Sequence, residues 1–282
     1  MTVPLFEHMA EVGAELRAAP HLLLGLDFDG TLAPIVPRPE NARMPDDTRS
    51  TLEALTPRPD ITIAVVSGRG MPDLVSRVDL NIILAANHGL EIAGGGLNFR
   101  YPPAENRQKL LHRICRAIAR QSEKIPGVLI EDKDLTASVH FRGVSESGRN
   151  ELFPIVRAAL ETVQDRFDAR RGKEVIEIVP RVSWNKGSAV LWILEQLRSR
   201  LEIRAVSVCY IGDDATDEDV FRAIDGVTIC VGDYAPTSAR FGVRDAVEAA
   251  NFLRWLSSTP FSTRSLKPTQ NSSDSTQPSG YR

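Results

Sequence analysis

The sequence predicts an α/β protein, a doubly wound parallel sheet into which a smaller α+β module is inserted. Three observations carry that expectation. Three short apolar runs, at 21–26, 61–66 and 205–211, are too short and too β-branched for buried helices and have the composition of central parallel strands. Segments with apolar residues at helical spacing lie between them, and strands alternating with helices imply a doubly wound sheet. From about residue 94 to residue 179 the rhythm changes to that of an α+β unit, and core-type elements resume at Lys186.

Each element has a local reason. The first run ends abruptly at Asp27, the second at Ser67 and the third at Gly212-Asp213. In open α/β sheets ligands gather at the carboxyl ends of strands, so these three ends form a candidate site. Asp46 or Asp47 is expected to cap a helix that runs through Leu55. Gly94-Gly95-Gly96 suits a hairpin turn, and Leu110, Leu111, Ile114, Ala117 and Ile118 make one helical stripe. Leu152, Val156, Ala159, Leu160 and Val163 make a second, with strands expected at 128–131, 136–142 and 174–179. Lys186 to Leu197 and Thr216 to Ile224 are expected as helices of the resumed core, with Thr216 as N-cap of the second. The organisation expected is a discontinuous core over 1–95 and 181–260, an inserted module over 96–180 and a disordered tail over 261–282. That tail is rich in Ser, Thr, Gln, Asn and Pro, with too little apolar surface to offset the entropy of ordering.

Composition narrows the function. With 34 Lys+Arg against 37 Asp+Glu in 282 residues, the net charge of -3 leaves no electrostatic footprint for nucleic acid or an anionic membrane. A small-molecule partner is the default. Cys115, Cys209 and Cys230 are odd in number and set in apolar surroundings, as free core thiols in a reducing compartment are. No apolar run approaches the roughly 20 residues of a membrane span, and residues 1–10 lack the pattern of an export signal. A cytoplasmic protein is expected; its oligomeric state is open, with a monomer as the default.

The chemistry sits at the strand ends. Asp27 and Asp29, spaced i and i+2 in an extended segment, share one face and repel unless a cation or a proton lies between them. Hard oxygen ligands of this kind select magnesium. The alternative is a solvated Asp-x-Asp-Gly turn. Ser67-Gly68-Arg69 offers a hydroxyl and backbone amides for phosphoryl oxygens, and Lys186 opens a helix with a compact cation. Asp213, Asp214, Asp217, Glu218 and Asp219 put five acids in seven positions. A helix start accounts for Glu218 and Asp219 through the dipole, but not for Asp213.

The ordered set Asp27-x-Asp29-x-Thr31, Ser67, Lys186 and Gly212-Asp213-Asp214 resembles the four-motif signature of the haloacid dehalogenase (HAD) superfamily. Within it the chain resembles trehalose-6-phosphate phosphatases, through the segments 26–34, Ser67-Gly68-Arg69, Asn87-His88-Gly89-Leu90-Glu91, Glu131-Asp132-Lys133, His140-Phe141-Arg142 and 212–219, from about Leu22 to Leu256. The resemblance implies a Rossmann-like core with a sugar-recognising cap, acting on a phosphorylated disaccharide. It makes Asp27 the nucleophile, Asp29 the general acid and base, and Ser67 and Lys186 the holders of the transferring phosphoryl group. It puts Mg2+ on Asp27, the Asp29 carbonyl and Asp213, with Asp214 or Asp217 in support. Phe28, Gly68 and Arg69 would border the substrate, and Glu131, Lys133, Arg142 and Glu177 would contact the sugar from the cap. His140 is more simply a packed residue, His88 a shaper of its loop, and Trp184 and Trp192 hinge or core packing. Hinges are expected near Ile92–Gly96 and Pro180–Trp184. Relatives usually carry a basic residue near the position of Val179, and no role follows for Asn185. A sucrose- or glucosylglycerol-phosphate phosphatase would share every core residue, and a non-catalytic sugar-phosphate sensor would share the fold.

Overall fold

The structure, a computed structural model, describes residues 2–36, 38–172, 174–233 and 236–260. It opens with β1 (Val3–Pro4), α1 (Met9–Leu16) and β2 (Leu22–Leu26), and continues through α2 (Asp46–Leu55), β3 (Ile61–Val66), α3 (Met71–Val78) and β4 (Ile83–Ala86). The hairpin β5 (Glu91–Gly94) and β6 (Leu97–Arg100) leads through α4 (Pro102–Glu105) to α5 (Gln108–Ser122), β7 (Leu129–Asp132), β8 (Ala137–His140), α6 (Glu146–Glu161), β9 (Phe167–Arg171) and β10 (Val175–Pro180). The described chain ends with α7 (Lys186–Leu201), β11 (Ser207–Gly212), α8 (Glu218–Ala223), β12 (Val227–Val231), β13 (Phe241–Val243) and α9 (Ala246–Ser258).

The larger sheet runs in the order β1-β13-β12-β11-β2-β3-β4-β5-β6. It is parallel from β1 through β4, and the β5–β6 hairpin adds two antiparallel strands. The three apolar runs of the sequence are its centre, β11-β2-β3. Every residue of β2 is buried because both faces are covered. Leu24, Leu26, Ile63 and Ile211 pack towards α1, α2, α3 and α9, whereas Leu23, Ala64, Val66 and Tyr210 pack towards α7 and α8. That alternation makes the core doubly wound. Gly25 interrupts β2 for a packing reason: a Cβ there would lie 2.5 Å from the Tyr210 ring.

The smaller sheet, β7-β8-β10-β9, is antiparallel throughout. Ala137, Val139, Ile176 and Ile178 face α5 and α6, against Leu111, Ile118, Leu152 and Val156. The register places Glu131, Ser138, Glu177 and Arg170 in one row on the opposite face. Both helical stripes and three of the four strands match expectation; β9 has no counterpart in the sequence reading.

Several expectations are corrected. Gly94 pairs with Leu97 around a two-residue turn in which Gly95 and Gly96 have φ of 55° and 75°, so β6 belongs to the large sheet and the excursion begins after Arg100 rather than at residue 96. Ile92–Gly96 is therefore part of a paired hairpin. The connections between the sheets are 101–107 and 181–185, the second of which overlaps the expected 180–184. Tyr101 stacked on Trp184 at 4.7 Å ties them together, Trp184 Nε1 donates to the Gly89 carbonyl at 2.8 Å, and within the larger unit Phe99 of β6 stacks on Trp192 of α7 at 4.5 Å. Asp46 and Asp47 lie in the first turn of α2, after Pro45 at the cap position, where the helix dipole favours acids. Thr216 is not the cap of α8: Asp217 stands there, and Thr216 bonds Asp214. The tail at 261–282 lies outside the described residues.

Candidate active site

The neighbouring strands β11, β2 and β3 end at nearly the same level, with Ile211 paired to Leu26 and Leu26 to Val65. Asp27, Ser67 and Asp213 are thereby delivered to one edge of the sheet. The Asp27 amide still donates to the Ile211 carbonyl at 2.9 Å, and the Ser67 amide to Ala85 at 2.8 Å, so both residues are held as strand continuations. Lys186 reaches the same place as the first residue of α7. Asn185 caps that helix, its Oδ1 accepting from the Ser188 amide at 2.9 Å.

Lys186 is 2% exposed and donates to Asp27 Oδ1 at 2.7 Å and to Asp217 Oδ1 at 2.8 Å. Burial works to lower its pKa, but the carboxylates of Asp217 and Asp27 outweigh it and hold the ammonium charged. Burial raises the Asp27 carboxyl well above its ordinary value; Lys186 opposes that shift, and Asp217, Asp213 and Asp214 reinforce it. Asp213 is pushed up to about 7 by burial and by repulsion from Asp217 and Asp214.

Asp217 is fully buried and saturated. Its Oδ1 accepts from Lys186 and from Tyr210 OH at 2.6 Å, and its Oδ2 from the amides of Asp213 and Asp214, both at 3.1 Å. Asp214 Oδ1 accepts from the Thr216 amide and hydroxyl and from the Asp217 amide, at 2.8, 2.7 and 3.3 Å. These two aspartates build the loop after β11. Asp213 differs, because its Oδ1 is buried without a hydrogen-bond partner. Carboxylate oxygens of Asp27, Asp213 and Asp217 lie within 4.8 Å of one another. With all three carboxyls ionised, one ammonium would leave two negative charges in a buried site, which is why Asp27 and Asp213 are raised, and the orphaned Asp213 oxygen has a vacant bonding capacity. Both features fit a divalent cation with hard oxygen ligands, for which Asp213 offers its orphaned oxygen and Asp27 the oxygen that Lys186 does not hold.

Asp29 faces the other way. Both of its oxygens accept from Arg69, at 2.6 Å each, and Arg69 also pairs with Asp73 at 2.6 Å while its guanidinium lies 5.3 Å from the Phe28 ring centre. Ser67 is 1% exposed, its Oγ accepting from the Arg69 amide at 3.2 Å.

The smaller sheet meets this edge through the turn after β7. Lys133 donates to the Gly68 carbonyl at 3.2 Å and lies 3.9 Å from Glu177, which in turn is 3.7 Å from His88. Asn87 holds the turn down: its amide donates to the Lys133 carbonyl at 3.1 Å and its Oδ1 accepts from Thr136 at 2.7 Å. Glu131 is in the Glu177 row and bonds His140 at 3.0 Å, so His140 has a packed partner. Arg142 is not brought to this group; it is exposed in the turn after β8, and among the described residues no ion pair or hydrogen bond joins it to them. A cavity of about 390 Å³ is lined by Lys186, Asn185, His88, Trp184, Val179 and Arg170 among others, beside rather than over Asp27, Ser67 and Asp213, which are not in its lining. Tyr210 and Asn87 were given no role by the sequence reading. Tyr210 sits in an apolar strand with nothing to distinguish it, whereas Asn87 opens the segment Asn87-His88-Gly89-Leu90-Glu91, which carries part of the resemblance.

A doubly wound sheet carrying buried aspartates at the ends of its central strands, a helix-borne lysine between them and an α+β excursion above defines a HAD-like α/β protein. The trehalose-phosphatase family model matches residues 25–238, and the chain belongs to that family. It is 36% identical over 259 residues to a trehalose-phosphate phosphatase of Mycolicibacterium paratuberculosis, covering 86% of this chain and 64% of the relative. It is 32% identical over 258 residues to a probable trehalose-phosphate phosphatase I of Arabidopsis thaliana, covering 86% and 69%. A crystal structure described as a trehalose-6-phosphate phosphatase related protein superposes with a TM-score of 0.70 at 26% identity, over 83% of this chain and 96% of that one. The chain thus spans somewhat under two thirds of the mycobacterial relative's length.

Proposed function

We propose that this protein is a magnesium-dependent phosphatase that hydrolyses trehalose 6-phosphate to trehalose and phosphate, the last step of trehalose biosynthesis. The observation that carries the reading is the buried Asp27–Lys186–Asp217 chain at the end of β2, with Asp213 beside it. Membership of the trehalose-phosphatase family supports the substrate. The reaction is assigned to the cytoplasm, in keeping with the absence among the described residues of any helix long and apolar enough to cross a membrane.

In this reading an Asp27 oxygen attacks phosphorus in line with the sugar oxygen, and the P–O bond to the sugar breaks. Asp29 gives its proton to the leaving oxygen, then takes one from the water that attacks the aspartyl-phosphate and restores the Asp27 carboxylate. Because Arg69 holds both Asp29 oxygens, that work requires Asp29 to leave Arg69. The Lys186 ammonium orients Asp27 and offsets charge on the transferring oxygens, and Ser67 offers them its hydroxyl. Asp27 and Asp213 would hold magnesium, with the Asp29 carbonyl; the bound cation supplies charge neutralisation and Lewis acidity at the phosphoryl group. Asp214 and Asp217 keep the loop in shape. Lys133, Glu177 and Glu131 are assigned to sugar hydroxyls.

Phosphate release from trehalose 6-phosphate, with magnesium and with chelator, tests the reading. Turnover should need the metal, and Asp27→Asn should abolish it while substrate binding persists. Equal turnover of glucose 6-phosphate would reject the assigned specificity.

A further inference from the structure

β9 is an edge strand, and its residues alternate between the two faces of the smaller sheet. Phe167 packs into the cluster beneath α5 and α6, and Arg171 shares that face, its guanidinium 4.8 Å from the Phe153 ring centre and 5.9 Å from that of Phe141. Arg170 therefore lies on the other face. Register sets it opposite Glu177, at the end of the row that begins with Glu131. It lines the cavity that reaches Lys186.

Asp168, the other charged residue of β9 on this face, is taken by Arg181 at 2.6 Å. Among the described residues no carboxylate forms an ion pair or hydrogen bond with Arg170. Arg170 is exposed on its strand and borders the cavity, so its donors are free to bond a ligand there. The cavity also carries Asp219, and Glu177 is the cross-strand neighbour, so the surroundings disfavour a second anion and favour a neutral, hydroxyl-rich ligand.

We infer that Arg170 is a specificity-determining residue that donates hydrogen bonds to hydroxyl oxygens of the sugar ring remote from phosphorus. Lys186, which holds Asp27, borders the cavity from the larger sheet's side, and Arg170 borders it from the smaller sheet. This deepens the proposed sugar-phosphatase function and rests on it. It also identifies what β9 contributes: a polar residue delivered to the substrate side by strand alternation.

The test compares wild type, R170M, R170K and R171M on a panel of phosphorylated sugars including trehalose 6-phosphate, and on p-nitrophenyl phosphate, which has no sugar. Losing a hydrogen bond from a charged donor should raise the R170M KM for trehalose 6-phosphate about tenfold or more, with kcat held within about twofold. Turnover of p-nitrophenyl phosphate should be unchanged, R170K should recover part of the loss, and R171M, on the opposite face, should keep the wild-type KM. An unaltered R170M KM, or an equal fall on both substrates, overturns the inference. If the wild type ignores trehalose 6-phosphate but hydrolyses another sugar phosphate, the assigned substrate falls, and the same comparison on that sugar still decides Arg170. If no sugar phosphate outperforms p-nitrophenyl phosphate, both fall.

Discussion

Asp217 shows how one residue sets the site without an obvious part in its chemistry. Four donors converge on its two oxygens, one of them the Tyr210 hydroxyl, and through Lys186 it determines where the Asp27 carboxylate is held. A buried carboxylate stripped of a donor loses a charge-assisted bond with no water to replace it. Tyr210→Phe should therefore destabilise the protein by about 1.5–3 kcal/mol, read from urea unfolding, with a lowered kcat as Lys186 relaxes. An unchanged unfolding midpoint would mean that the hydroxyl contributes nothing to Asp217. Such a role is invisible in the letters, since Tyr210 occupies an apolar strand where a large side chain is wanted for packing alone.

At the level of elements, the site depends on abrupt stops of strands and on what the following loops permit. The loop after β2 turns at Gly30, whose φ is 83°, and a Cβ there would stand 2.0 Å from Asp213 Oδ2. Gly30→Ala should cost about 1–2 kcal/mol from the left-handed backbone and displace Asp213 as well. The expected result is a lower melting temperature together with weaker magnesium dependence of turnover; wild-type magnesium titration in the variant would disprove the displacement. The loop after β11 works in the opposite sense, tightened by Asp214 and Asp217 around backbone amides. The apolar runs and helical stripes were legible because each has one period over several residues. β9 was not, because Asp168, Arg170 and Arg171 mask a strand in which Phe167 is the one buried residue.

Across the whole molecule, among the described residues, the two sheets are bridged by polar contacts at Lys133, Asn87 and Glu177 and by an apolar cluster of Leu90, Ala104 and Leu135 with Tyr101, Val182 and Trp184. Burial works to raise the Glu177 carboxyl, but His88, 3.7 Å away, and the charge of Lys133 hold it at about 2, against the repulsion of Asp214. A folded-state value below the unfolded one, about 4.3, means that this contribution is present above pH 4.3 and is lost as the pH falls towards 2. In denaturant titrations, wild type should exceed Glu177→Gln in stability at pH 5, and the gap should close on acidification through that window. A gap independent of pH would assign the effect to packing.

By itself the sequence determined the class of fold, the inserted module and the residues gathered at the strand ends, because hydrophobic periodicity and abrupt polar stops are local properties. Tertiary structure alone decided which of five clustered acids build the loop and which keeps a free oxygen, that Arg69 holds Asp29, and that Arg170 borders the cavity. Those distinctions depend on donors, registers and neighbours remote in the chain, such as Tyr210 on Asp217 or β10 beside β9. A hydrogen bond has two ends, and the amino-acid order names only one of them at a time.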